Sequence, residues 1–196
     1  MKILKKIFFI LIFLSFINPS LARDPSEFIL EITKEASDIL KENITVEEKA
    51  KKLILIAENS VDIDGIGMYS LGKHRNAIND EQLNKYKKIF RKYFLKSFSS
   101  RLSQYSDPKI NVISQTVLNE KYTIVSSVLI ETSERPEIKI DWRVYTLDPD
   151  KPLIRDLIIE GLSLARTQKE EFNSLILGAN GDVAVLFTSL ENFTSK

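Results

Sequence analysis

The stretch Arg155–Phe172, RDLIIEGLSLARTQKEEF, decides how the chain is read. It holds Gly161-Leu-Ser163-Leu-Ala165, one residue away from the G-x-S-x-G elbow that presents a catalytic serine between a strand and a helix. A serine nucleophile needs a base to take its proton. The chain has one histidine, His74, and it precedes the serine, whereas the elbow fold runs serine, acid, histidine. Ala165 also stands where the last glycine belongs. The structural alternative fits better: residues 153–164 form a strand, Gly161 bends it out of the sheet, and a helix follows. Thr167 and Glu170 have the spacing of a capping box, so that helix is expected to open at Thr167, with Phe172, Leu175 and Ile176 inward.

Upstream of this stretch the apolar period is two. Ile124, Ser126, Val128 and Ile130 alternate with Thr123, Val125, Ser127 and Leu129. Ile138, Ile140, Trp142 and Val144 alternate with Lys139, Asp141, Arg143 and Tyr145. Residues 109–118 also read as a strand. The connections Asn119-Glu-Lys, Ser133-Glu-Arg-Pro and Asp148-Pro-Asp-Lys-Pro are short and turn-like, so consecutive strands should be antiparallel neighbours. The expectation is a four- to five-stranded antiparallel meander.

Helical signals flank it. Asp24-Pro25 with Glu27 opens one helix, carrying Phe28, Ile32, Ala36, Ile39 and Leu40 on one face. Thr45 with Glu48 opens a second, and Val61–Leu71 reads as a brief third. Asn79-Asp80 begins the longest, striped with Leu83, Tyr86, Phe90, Tyr93, Phe94 and Phe98. After the strands, Gly178 to Gly181 ends the Phe172 helix, and Asp182 caps a last one bearing Val185, Leu186 and Leu190. The class is therefore α+β: N-terminal helices, a meander sheet, C-terminal helices.

Composition excludes several chemistries. The chain has no cysteine, which removes thiol and zinc–thiolate sites and disulfide stapling. Its formal net charge is +1, no electrostatic footprint for nucleic acid. The start, MKILKKIFFILIFLSFINPSLARDP, has lysines at 2, 5 and 6, an apolar run from Ile7 to Ile17, and the small residues Ser20 and Ala22. That is the layout of a secretory signal peptide cut after Ala22, and the run is short for a membrane span. Residues 23–196 would then be one exported domain of 174 residues with net charge −2. No metal is implied: His74, beside Lys73 and Arg75, has no ligand spacing around it and reads as an exposed loop residue. Gly65-Ile-Gly67 is a fragment of a dinucleotide fingerprint without the preceding strand. Glu47-Glu48 and Glu170-Glu171 read as first-turn charges that complement helix dipoles.

The segments LGKH, INDEQLNKYKKIFRKYF, RLSQY, DWRVY and IRDLIIEGLSLARTQKEEFNSLI resemble the MlaC family, the toluene-tolerance auxiliary components of ABC transporters. The likeness runs in order over nearly all of the chain after Ala22. The family usually carries a tryptophan near the position of Arg75. The resemblance implies a periplasmic carrier of phospholipid, not an enzyme, with no cofactor. It implies an apolar cavity between helices and sheet, in which Ser163 has no nucleophilic role. It also implies two docking partners: an outer-membrane lipoprotein–porin complex, and the substrate-binding subunit of an inner-membrane ABC transporter. Carriage of another lipid such as a hopanoid, a lipid-free scaffold and a periplasmic hydrolase are the rival readings. From resemblance and alternation together, the expected lipid-binding wall is Ile124, Val128, Ile130, Ile138, Ile140, Trp142 and Val144, closed by Phe90, Phe94 and Phe172.

Overall fold

Short polar side chains start the helices. In the protein's structure, a computed structural model that describes residues 23–133 and 135–195, Asp24 accepts from the backbone N–H of Ser26 at 2.8 Å and of Glu27 at 3.1 Å. The predicted leader, residues 1–22, lies outside the described residues. Asp24 caps α1 (Pro25–Lys41), with proline in the first turn, where its missing N–H is not needed. Thr45 and Glu48 close a capping box on α2 (Val46–Ser60). Asp62 caps α3 (Ile63–Leu71) through the N–H of Gly65 at 2.8 Å. A 3-10 turn over Gly72–Ala77 follows, and Asn79 with Gln82 boxes the start of α4 (Asp80–Leu102).

The sheet follows in chain order. Strands β1 (Ile110–Asn119), β2 (Tyr122–Leu129), β3 (Ile138–Tyr145), β4 (Leu153–Ile159) and β5 (Leu162–Ser163) lie side by side, every pair antiparallel. This is the predicted meander with a fifth, two-residue strand. The reason for that strand is the turn. Glu160 and Gly161 both have positive φ, +48° and +81°, so the chain reverses in two residues instead of merely bending.

The helix after it starts earlier than Thr167. Ser163 is the cap of α5 (Leu164–Gly178): its Oγ accepts from the Arg166 N–H at 3.1 Å. Thr167 sits inside the first turn and donates its hydroxyl back to the Ser163 carbonyl at 3.0 Å. Glu170 and Glu171 consequently fall beyond the first turn and do not meet the helix dipole as expected. Helix α6 (Ala184–Ser195) follows Asp182, whose carboxylate accepts from the Ala184 N–H.

Helices pack on one face of the sheet. The main core joins Phe28 and Ile29 of α1, Leu71 of α3, Tyr86 and Phe90 of α4 and Phe172 and Ile176 of α5 to Val125, Val144 and Ile154 of the strands. A smaller cluster of Ile39, Leu40, Leu53 and Ile56 joins α1 to α2. Gly67 explains the partial glycine motif. A Cβ there would lie 2.7 Å from the Phe90 ring, and its carbonyl accepts from the Tyr86 hydroxyl at 2.8 Å. The glycine lets α3 and α4 approach each other. Arg155 ties the sheet to the start of α3: its guanidinium bonds Asp62 at 2.6 Å and the Tyr122 hydroxyl at 2.8 Å, and stacks 3.6 Å from the Tyr145 ring.

Candidate functional site

The strand register sorts the predicted lipid wall into two sets. Directly opposed residues of an antiparallel pair point to the same face. Val125 opposes Trp142, Ser127 opposes Ile140, Leu129 opposes Ile138, and Thr123 opposes Val144. Ile138, Ile140, Trp142 and Val144 therefore share the helix-covered face with Val125 and Leu129. Ile124 opposes Arg143 and Val128 opposes Lys139, so Ile124 and Val128 stand on the other face. Ile130, just past β2, is 40% exposed. The expectation that all seven line one wall is corrected on this point. The second face is polar around Ile124 and Val128. There the Ser126 hydroxyl donates to Asp141 at 2.6 Å, and Arg143 lies 3.9 Å from Asp156.

The structure does bring Phe90, Phe94, Phe172, Trp142 and Val144 together. Phe90 and Phe172 meet edge to face at 6.2 Å, and Phe94 stacks on Phe98 at 6.0 Å. Val144 is wholly buried, and Phe90 and Phe172 nearly so. Trp142 and Phe94 are only half-buried at the margin of the core, as are Ile32, Leu95, Phe98 and Val112. These six form an apolar belt contributed by α1, the C-terminal half of α4 and the inner sheet face. Ile32 and Phe98 also touch the smaller cluster, so the belt runs between the two cores. Ile32, Leu95, Phe98 and Val112 were not among the predicted wall residues. Ile32 and Phe98 belong to stripes that the periodicity identifies, but which stripe residues stay half-buried depends on neighbours from other elements, a signal that spacing within one element does not carry.

Polar groups at the belt are mutually satisfied. Trp142 Nε1 donates to Ser127 Oγ at 2.8 Å, and Ser127 Oγ donates to the Ile140 carbonyl at 3.1 Å. The Tyr93 hydroxyl donates to Gln168 at 2.8 Å. Burial, reinforced by the nearby Glu171 carboxylate, pushes the Tyr93 phenol up, and burial does the same to Tyr86. Both phenols stay neutral and present ring surface, with no charge.

Ser163 has no base. Its hydroxyl donates to Asp156 at 2.6 Å, and the same carboxylate accepts from the Ala165 N–H at 3.0 Å. Asp156, buried at 4% exposure, anchors the strand–turn–helix junction. His74 is buried, not exposed: its Nε2 lies 2.9 Å from Asn173 Oδ1, joining the 3-10 turn to α5. A cleft of about 300 Å³ opens there between Lys73 and Lys169. A second, of about 600 Å³, lies between α1 and α2 and is lined mainly by charged residues, Glu31, Lys34, Glu35 and Asp38 among them. Neither cleft includes a predicted wall residue. Among the described residues no group of three or more metal-ligating side chains converges, and no helix is long and apolar enough to cross a membrane.

Comparison with known proteins gives two positive findings. The MlaC protein family matches residues 27–192. A phospholipid-binding protein from Ralstonia solanacearum, solved in complex with a phospholipid, superposes with a TM-score of 0.74 at 15% identity. That match covers 88% of this chain and 97% of the other. No curated protein matches. The family match spans α1 to α6, the whole arrangement of helices around the meander, and the chain belongs to the MlaC family.

Proposed function

We propose that this chain is a periplasmic carrier of phospholipid that binds acyl chains along the apolar belt between α4, α1 and the inner sheet face. The observation that carries the reading is the likeness in fold, over nearly the whole chain, to a protein solved with phospholipid bound. The belt supports it: Phe94, Phe98, Trp142 and Val112 are apolar side chains that are not sealed into the core. Each methylene moved from water to such a surface contributes about 0.8 kcal/mol. Two acyl tails of roughly 30 methylenes would thus require on the order of 20 kcal/mol to cross water uncovered. A protein that covers them needs only apolar surface and a way to open. Lipid would be exchanged with an outer-membrane lipoprotein–porin complex and with the substrate-binding subunit of an inner-membrane ABC transporter.

Native mass spectrometry of protein purified from the periplasm tests the reading. Glycerophospholipid mass on the folded chain is the expected result. A hopanoid in its place would redirect the substrate class. Consistently lipid-free protein that also fails to extract lipid from vesicles would favour a scaffold, and hydrolysed lipid products would favour an enzyme.

A further inference from the structure

Strand β1 is the open edge of the sheet. It pairs only with β2, and among the described residues no other backbone group bonds its outer side. The other edge, β5, is two residues long and runs straight into α5. Exposed edges of this length are usually protected by charge, lysine above all. Residues 110–119, INVISQTVLN, contain no Asp, Glu, Lys or Arg, although 28% of the chain is charged. Ile113, Val117 and Leu118 are instead 60%, 73% and 52% exposed.

The strand is also symmetric in character about Gln115. Reading outward in both directions gives Ser114 and Thr116, Ile113 and Val117, Val112 and Leu118, Asn111 and Asn119. Pairing with β2 slips between Val112 and Ser114 and again between Val117 and Asn119, which leaves Ile113 and Leu118 without a partner on β2. Between them, residues 114–117 pair regularly with β2. Against a second copy running antiparallel about Gln115, Ile113 opposes Val117 and Val112 opposes Leu118, so apolar side chains meet apolar side chains.

We propose that β1 is a self-association edge, on which two copies of this chain pair antiparallel about a twofold axis at Gln115 and join their sheets into one of ten strands. A twofold contact requires a self-complementary patch, and this one is self-complementary in side-chain type, with no charged residue within the strand itself. Its extent, about 33 Å at strand rise, places it among small interfaces, so the association is weak and concentration-dependent. The inference is independent of the lipid reading.

Cysteine trapping tests the register, and the chain offers a background with no cysteine. On the axis, residue 115 of one copy opposes residue 115 of the other at roughly 5 Å between Cα atoms, within disulfide reach. Gln115→Cys should oxidise to a covalent dimer, while Asn111→Cys, far from its own counterpart, should not. Sedimentation of the unmodified chain should show average mass rising with concentration towards two chains, and Val117→Lys should weaken association at least tenfold. Val117 is mostly exposed, so its circular dichroism and melting should not change. A chain that stays monomeric up to millimolar concentration would overturn the proposal, as would dimerisation indifferent to Val117→Lys, or equal cross-linking from positions 111 and 115.

Discussion

Ser163 Oγ accepts from one backbone group and donates to the buried Asp156, so its removal acts at both ends of one junction. Loss of a cap costs about 0.5–2 kcal/mol. Ser163→Ala should therefore lower urea-unfolding stability by about 1–2 kcal/mol, with lipid content unchanged and no labelling of the parent protein by a serine-hydrolase probe. Asp156→Ala should cost more, about 2–3 kcal/mol, because it strands the Ser163 hydroxyl and the Ala165 N–H together. Asp24 carries a pH signature. Partial burial pushes its carboxyl up, but the Gln115 side chain and the Glu27 and Ser26 N–H groups outweigh this and hold it below the usual 3.8. A carboxyl depressed by folding stabilises the native state above its unfolded value and loses that contribution as pH falls through the folded value. Asp24→Asn should therefore flatten the acid limb of the stability profile, lowering stability near neutrality, where the carboxylate's contribution is fully present, and leaving it unchanged at pH below the folded value.

Among the elements, the meander makes the sharpest distinction. Phe98→Ala and Trp142→Ala remove half-buried apolar surface from the belt and should weaken lipid retention about tenfold each, some 1.4 kcal/mol. Ile124→Ala, on the far face, should leave retention unchanged. Measuring lipid retained per chain in the three variants decides it, and equal loss from Ile124→Ala would move the site off the inner face. Val144→Arg is a different case. Alternation alone predicts that it displaces lipid from a folded protein, but the side chain has no exposure and sits in the main core. It should abolish cooperative melting. Helix starts at Asp24, Thr45 and Asn79 and the order of the strands were legible in the sequence, because caps and turns are local. The shared face was not. β2 carries apolar residues on both sides, Ile124 and Val128 against Val125 and Leu129, so alternation fixes the two sets without saying which one β3 continues. The backbone pairing of Val125 with Trp142 makes that choice. The α5 start at Ser163 was hidden for a similar reason: two consecutive positive-φ residues shortened the connection, and only one of them is glycine.

At the scale of the molecule, the proposed lipid would act as an extension of the apolar core. A ligand that binds only the folded chain stabilises it by about 2.7 kcal/mol at a hundredfold excess over its dissociation constant. Delipidation should therefore lower the melting temperature by about 5–10 °C for a protein of this size, and readdition of phospholipid should restore it. An unchanged melting curve would mean that the belt is already closed without lipid.

Trp142 makes this measurable without chemistry. It is the chain's one tryptophan, half-buried on the inner sheet face and held by its indole N–H to Ser127. All indole emission thus comes from one ring at the margin of the proposed site. Acyl chains arriving beside that ring would exclude water from it and shift its fluorescence to shorter wavelength, and lipid departure would reverse the shift. Vesicles doped with a brominated phospholipid would quench it on transfer. The rate at which the protein loads and unloads could then be followed in real time on the unmodified chain, with the protein serving as its own optical probe.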